Sequence, residues 1–122
     1  MRIPDGNGRV AVAKFAVLNQ NSDFRRLYGR GRSKAHPALV SYVAKNRVGF
    51  CRIGITTSKK IGNAVVRNRA RRVIRAAYAE VVPALCGNYD IVFVARSRTA
   101  RCKSGDVAQV MREQLKFLGV IA

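Results

Sequence analysis

Residues 59–75 read KKIGNAVVRNRARRVIR, a segment with two lysines, five arginines and no acid. A planar guanidinium binds phosphate oxygens bidentately and stacks on bases, which an ammonium cannot do. Arginine this dense therefore points to recognition of a polyanion through its phosphates. The rest of the chain agrees. Its 122 residues carry a formal charge of +18, and from Phe24 to Ala79 there is no Asp or Glu, while that window holds 15 of the 24 Lys and Arg. Such an excess costs stability through self-repulsion unless an anion answers it. A merely solvated surface mixes both signs. Nucleic acid is the leading partner and an anionic membrane surface the alternative; the preponderance of arginine over lysine favours nucleic acid.

Other chemistries are poorly supplied. The six acids, Asp5, Asp23, Glu80, Asp90, Asp106 and Glu113, are scattered, and His36 is the single histidine. A metal-dependent nuclease needs clustered carboxylates or histidines to hold its cations, so no catalytic residue is assigned. Asp23 and Asp90 suit a helix start and a strand edge, and His36, before Pro37, suits a hydrogen-bonding or phosphate-contacting role. Cys51, Cys86 and Cys102 are odd in number and form no C-x-x-C pair. They read as reduced, mostly buried thiols of a cytoplasmic protein, with Cys51 in the core. The apolar run Val10–Leu18 is broken by Lys14 and too short for a signal peptide or membrane span.

The elements that must position the basic segment follow from periodicity. Residues 1–14, with Pro4 and the DGNG cluster, read as a loose leader segment, and residues 15–122 as a single domain. NQNSDFRRLYGRG predicts a short helix capped by Asn21 or Ser22 and ended by Gly29 or Gly31, with Phe24, Leu27 and Tyr28 on one face. Two strands are expected over 38–45 and 50–58, joined by a turn at Asn46–Gly49, with one face of the second strand buried and the other presented. A long helix runs from about Ala64 to Val82, where Pro83 stops it. YDIVFVA (89–95) is an interior strand, ARSRTARCK a loop, and a last helix starts near Ser104 with Val107, Val110, Met111, Leu115 and Leu118 inward and Gly119 at its close. The result is a two-layer α/β sandwich.

On the long helix, at about 100° per residue, Arg67, Arg71 and Arg75 fall within an arc of about 80°, with Arg72 further round and Arg69 about 200° from Arg67. Val66, Ala70, Val73, Ile74, Ala77 and Val81 fill the remaining stripe. The helix docks through small aliphatics and holds five guanidinium groups outward. Lys59 and Lys60 extend the patch towards its N-terminus, where free N–H groups favour phosphate. Stacking Arg67, Arg71 and Arg75 at i, i+4, i+8 is repulsive without an anion.

SKKIGNAVVRNRARRVIR resembles the arginine-rich RNR motif of the bacterial ribonuclease P protein subunit. SDFRRLYGRGR resembles that family's first helix, LVSYV its first long strand and YDIVFVAR the strand after the motif, so the resemblance covers roughly residues 20–118. Ala70 stands where a larger aliphatic is common. The resemblance implies an α+β fold in αβββαβα order, with a small mixed sheet and a left-handed βαβ crossover, the ribosomal protein S5 domain 2-like arrangement. Periodicity cannot show that crossover, since right-handed connections are the strong prior. The resemblance also implies a subunit of the ribonucleoprotein endonuclease that removes the 5′ leader from precursor tRNA. The catalytic RNA subunit cleaves with Mg²⁺ that it mainly holds itself, and the protein alone is not expected to cleave. Lys59, Lys60, Asn63, Arg67, Asn68, Arg69, Arg71, Arg72 and Arg75 would contact the RNA subunit. Phe24, Tyr28 and Tyr42 would line a cleft for the leader. No obligate protein partner and no membrane is implied. A basic ribosomal protein and an autonomous nuclease remain the other readings.

Overall fold

A computed structural model of the chain describes residues 17, 18 and 21–121; the expected loose segment 1–14 lies outside them. The order is α1 (Asn21–Arg30), β1 (Arg32–His36), β2 (Leu39–Lys45), β3 (Arg52–Thr56), α2 (Ala64–Val81), β4 (Tyr89–Ala95) and α3 (Ser104–Phe117). The strands form one mixed sheet in the order β1-β2-β4-β3. β1 and β4 run antiparallel to β2, while β3 and β4 are parallel and joined through α2.

Alternation along the strands sends two residue sets to two layers. Leu39, Val43, Ile53, Ile91, Phe93 and Ala95 meet Ala70, Ile74, Ala77, Tyr78 and Val81 of α2 and Val107, Met111 and Leu115 of α3 in the main core. Ala70 is fully buried there, its small side chain sitting where α2 meets the sheet. Tyr78 lies outside the stripe read from the sequence and is nonetheless fully buried, packing on Phe93 with ring centroids 5.8 Å apart. The second half of α2 packs against both the sheet and α3, so its buried arc widens beyond that of the first half.

The opposite face of the sheet, expected to be presented, carries α1. Leu27 of α1 buries with Leu18 and Val92, and Phe24, Tyr42, Ala44 and Val94 pack around them. Leu18 also donates its backbone N–H to the Ile53 carbonyl at 2.7 Å, so Val17 and Leu18 run beside β3. Asn21 and Ser22, expected ahead of the first helix, fall within its first turn.

β1 is the third strand that the αβββαβα order implies, but periodicity does not mark it, because RSKAH has no apolar alternation. Pairing and polar ties hold it instead. Buried Gln114 of α3 donates to the carbonyls of Lys34 and Leu39 at 3.0 and 2.8 Å and accepts from Ser41 at 2.6 Å. Lys34 also lies 4.4 Å from the centre of the Phe117 ring. His36 accepts from the Ala38 N–H and closes the β1–β2 turn. The thiols are less buried than expected: Cys51 and Cys102 are half-buried and Cys86 is exposed. Burial pushes the Cys51 thiol pKa up, which disfavours a nucleophilic thiolate.

Candidate nucleic-acid interface

The entry to α2 is built by two residues. Gly62 has φ +142°, and a Cβ there would come within 2.9 Å of the Val66 side chain, so the turn requires glycine. Asn63 then caps the helix, its Oδ1 accepting from the Val66 N–H at 3.0 Å. Lys59 and Lys60 stand exposed on a single helical turn just before this point. Along α2, Asn63, Asn68, Arg69, Arg72 and Arg75 are exposed and Arg67 and Arg71 half-buried. Local hydrogen bonds order two of these: Arg67 donates to the Gly62 carbonyl at 3.2 Å, and Arg71 to Asn68 Oδ1 at 3.0 Å. A long guanidinium held in place loses less freedom when it meets a phosphate.

A cleft of about 470 Å³ opens between α1 and α2 over the β3 edge of the sheet, lined by Val17, Leu18, Phe24, Ile53, Ile55, Arg71 and Arg75. Its walls are aliphatic and aromatic, with two guanidiniums at the α2 side. Phe24 and the basic helix, read separately from the sequence, therefore meet at one cavity. The Phe24 ring lies directly over Gly54, where a Cβ would sit 2.7 Å from the ring carbons. The missing side chain in β3 is what lets the ring approach the sheet this closely.

Tyr28 and Tyr42 sit together, edge to face with centroids 4.9 Å apart, outside the lining of that cleft. The Tyr28 hydroxyl is 2.9 Å from Thr56 Oγ1, which ties α1 to β3. Tyr28 stays 43% exposed, enough to offer ring surface to a ligand.

The residues that hold α1 in position were not legible as a set. Asp90 is fully buried at the start of β4. Arg52 of β3 grips it with two hydrogen bonds, at 2.9 and 2.8 Å, Asn46 adds one at 2.7 Å, and Arg26 of α1 completes the ion pair. Burial pushes the Asp90 carboxyl pKa up, but hydrogen bonds from Arg52, Asn46 and Arg26 outweigh it and hold the pKa below the ordinary carboxylate value. The same pairing raises the pKa of Arg52. The partners lie 38, 44 and 64 residues from Asp90 in sequence, so no local pattern announces them.

Among the described residues no group of three or more His, Cys, Asp or Glu is placed to hold a metal ion, and no helix is long and apolar enough to cross a membrane.

Comparison with known proteins places this architecture. The family model described as Ribonuclease P matches residues 12–119. The ribonuclease P protein component of Clostridioides difficile (strain 630) is 39% identical over 100 residues, covering 81% of this chain and 88% of that protein. The corresponding protein of Clostridium novyi (strain NT) is 44% identical over 84 residues, covering 67% and 74%. Among solved structures, the RNase P protein of Staphylococcus aureus superposes with a TM-score of 0.76 at 31% identity, over 89% of this chain and all of that one. That of Thermotoga maritima shares the fold, with a TM-score of 0.70 at 24% identity over 84% and 94%. The chain belongs to the ribonuclease P protein family, whose members are subunits of the tRNA-processing ribonucleoprotein endonuclease.

Proposed function

We propose that the chain serves ribonuclease P through two connected RNA-binding surfaces: the exposed side of α2, which grips the RNA subunit, and the α1 side of the sheet, which holds the 5′ leader of precursor tRNA. The observation that carries this reading is the cleft lining, which joins Phe24 of α1 to Arg71 and Arg75 of α2. An apolar, aromatic-walled groove edged by guanidiniums suits a single strand: bases stack or pack on the wall while phosphates meet the arginines, with little sequence preference. Leaders of varied sequence need that tolerance. Arg71 and Arg75 then stand where the two RNAs meet, and their charge screens phosphate repulsion between them.

In this reading the protein contributes binding and electrostatics, and the Mg²⁺ used in cleavage is held by the RNA. Positive charge supplied by α2 substitutes for part of the cation atmosphere the RNAs would otherwise need. The test is reconstitution: adding the full chain to the RNA subunit should restore precursor cleavage at Mg²⁺ concentrations too low for the RNA alone. No gain at low Mg²⁺ sinks the reading. Metal-dependent cleavage by the protein without RNA would instead favour an autonomous nuclease. RNA binding with no preference for precursor over mature tRNA would favour a general structural RNA-binding protein.

A further inference from the structure

The segment ARSRTARCK, expected to be a loop, is a fixed platform on α2. Residues Thr99–Arg101 form a single helical turn, and Thr99 and Ala100 are buried. Thr99 Oγ1 donates to the Ala38 carbonyl at 2.6 Å and accepts from the Arg96 N–H at 2.9 Å, which pins the turn to the β1–β2 connection 61 residues away. Arg98 and Arg101 project from this base, both exposed.

Between the platform and α2 lies a second cleft, of about 410 Å³. Val65, Val66 and Ala100 give it an aliphatic floor; Arg69, Arg101 and Ser97 stand around it, and no lining residue is acidic. Val65 is 68% exposed, an apolar side chain near the start of α2 that the core does not use. This cleft lies on the other flank of α2 from the leader cleft, because Arg69 is rotated by about 160° from Arg71 on a helix about 10 Å across.

We infer that the Arg69–Arg101 cleft is a second contact with the RNA subunit, one that takes an unpaired nucleotide with its base on the aliphatic floor and its phosphate between the two guanidiniums. This rests on the function proposed above and adds to it contacts from the Ser97–Arg101 platform beside the arginine-rich segment. Charge selects the occupant: a cleft rimmed by arginines, in a chain of formal charge +18, favours a polyanion over a protein surface. An aliphatic floor gains nothing from a base buried inside a duplex, so the nucleotide must be unpaired. Position selects the RNA subunit, since a leader in the cleft beside Phe24 lies on the opposite flank of α2.

The test is a titration of the full chain against its RNA subunit at several salt concentrations. Arg101→Ala should weaken binding about tenfold and reduce the slope of log affinity against log salt by about 0.7–0.9, one phosphate contact. Val65→Ser should weaken binding a few-fold with the slope unchanged, because it removes apolar contact and no charge. Lys116→Ala, on exposed α3, should change neither. Arg101 and Val65 are exposed, so these variants should fold, and unchanged circular dichroism and Tm would confirm it. Wild-type affinity and slope in Arg101→Ala overturn the inference. So does a loss confined to the preference for precursor over mature tRNA, which would assign the cleft to the leader. A wild-type chain that does not bind the RNA subunit overturns the function proposed above, and this site with it.

Discussion

On one face of the sheet, Leu39, Val43, Ile91, Phe93 and Ala95 are sealed beneath two helices. On the other, α1 covers Val92 with Leu27 and leaves Phe24, Tyr42 and Val94 partly open. The first face has a continuous apolar core. The second has a small cluster, one buried ion-pair network and a tyrosine pair. The large core fixes the direction in which α2 holds its arginines. The thin layer leaves room for a cleft, and polar ties keep α1 at the distance the cleft requires. Stability and ligand access are thus assigned to opposite sides of the same four strands.

Substitutions that break each side should separate these roles. Phe93→Ala, in the main core, should cost about 3–5 kcal/mol by urea denaturation, with the loss shared by all elements. Asp90→Asn should cost about 2 kcal/mol, because it removes the charge-assisted hydrogen bonds that partly exposed Arg26 and Arg52 make to the buried carboxylate. Hydrogen exchange should show that loss concentrated in α1. A pH effect accompanies it. The folded-state pKa of Asp90 is depressed, so the unfolded chain binds its proton more readily. The stabilisation is full above the ordinary value of 3.8 and is lost as pH falls through the depressed folded value. Acid titration of Asp90→Asn should therefore lack that component of the wild-type destabilisation.

Smaller changes address the cleft itself. Gly54→Ala places a methyl against the Phe24 ring and should push it off the sheet. A stability loss of about 1–2 kcal/mol is expected, with weaker preference for leader-bearing tRNA and normal affinity for the RNA subunit. Tyr28→Phe removes the hydrogen bond to Thr56 and keeps the ring pair; a loss near 0.5 kcal/mol by thermal melting is expected.

The difference between the faces also explains what the sequence revealed. α2 was legible because its aliphatic stripe and its arginines alternate with helical period, and Pro83 marks its end. α3 was legible for the same reason, with Val107, Met111, Leu115 and Leu118 inward. The helix α1 and its Phe24–Leu27–Tyr28 face were legible, but its seating was not, since that depends on pairs distant in sequence: Asp90 with Arg26 and Arg52, Phe24 with Gly54, and Tyr28 with Thr56. An alternating Gly54 signals a close approach but not which ring approaches. ARSRTARCK read as a loop because nothing local shows that Thr99 is anchored to the Ala38 carbonyl. The nine polar residues of the basic segment were identifiable by type, and helical angle already set Arg69 apart from Arg71 and Arg75, but the two clefts that those flanks line required the packing around α2.

The most direct test of separate surfaces compares one variant from each surface in one holoenzyme assay. Arg72 is exposed and lines neither cleft, and Tyr42 lies on the α1 side of the sheet. The quantities to measure are affinity for the RNA subunit and the ratio of precursor to mature tRNA affinity. Arg72→Ala should lower the first and leave the second unchanged, while Tyr42→Ala should lower the second and leave the first unchanged. If both substitutions move both quantities together, the chain has one RNA-binding surface and the division between its faces is wrong.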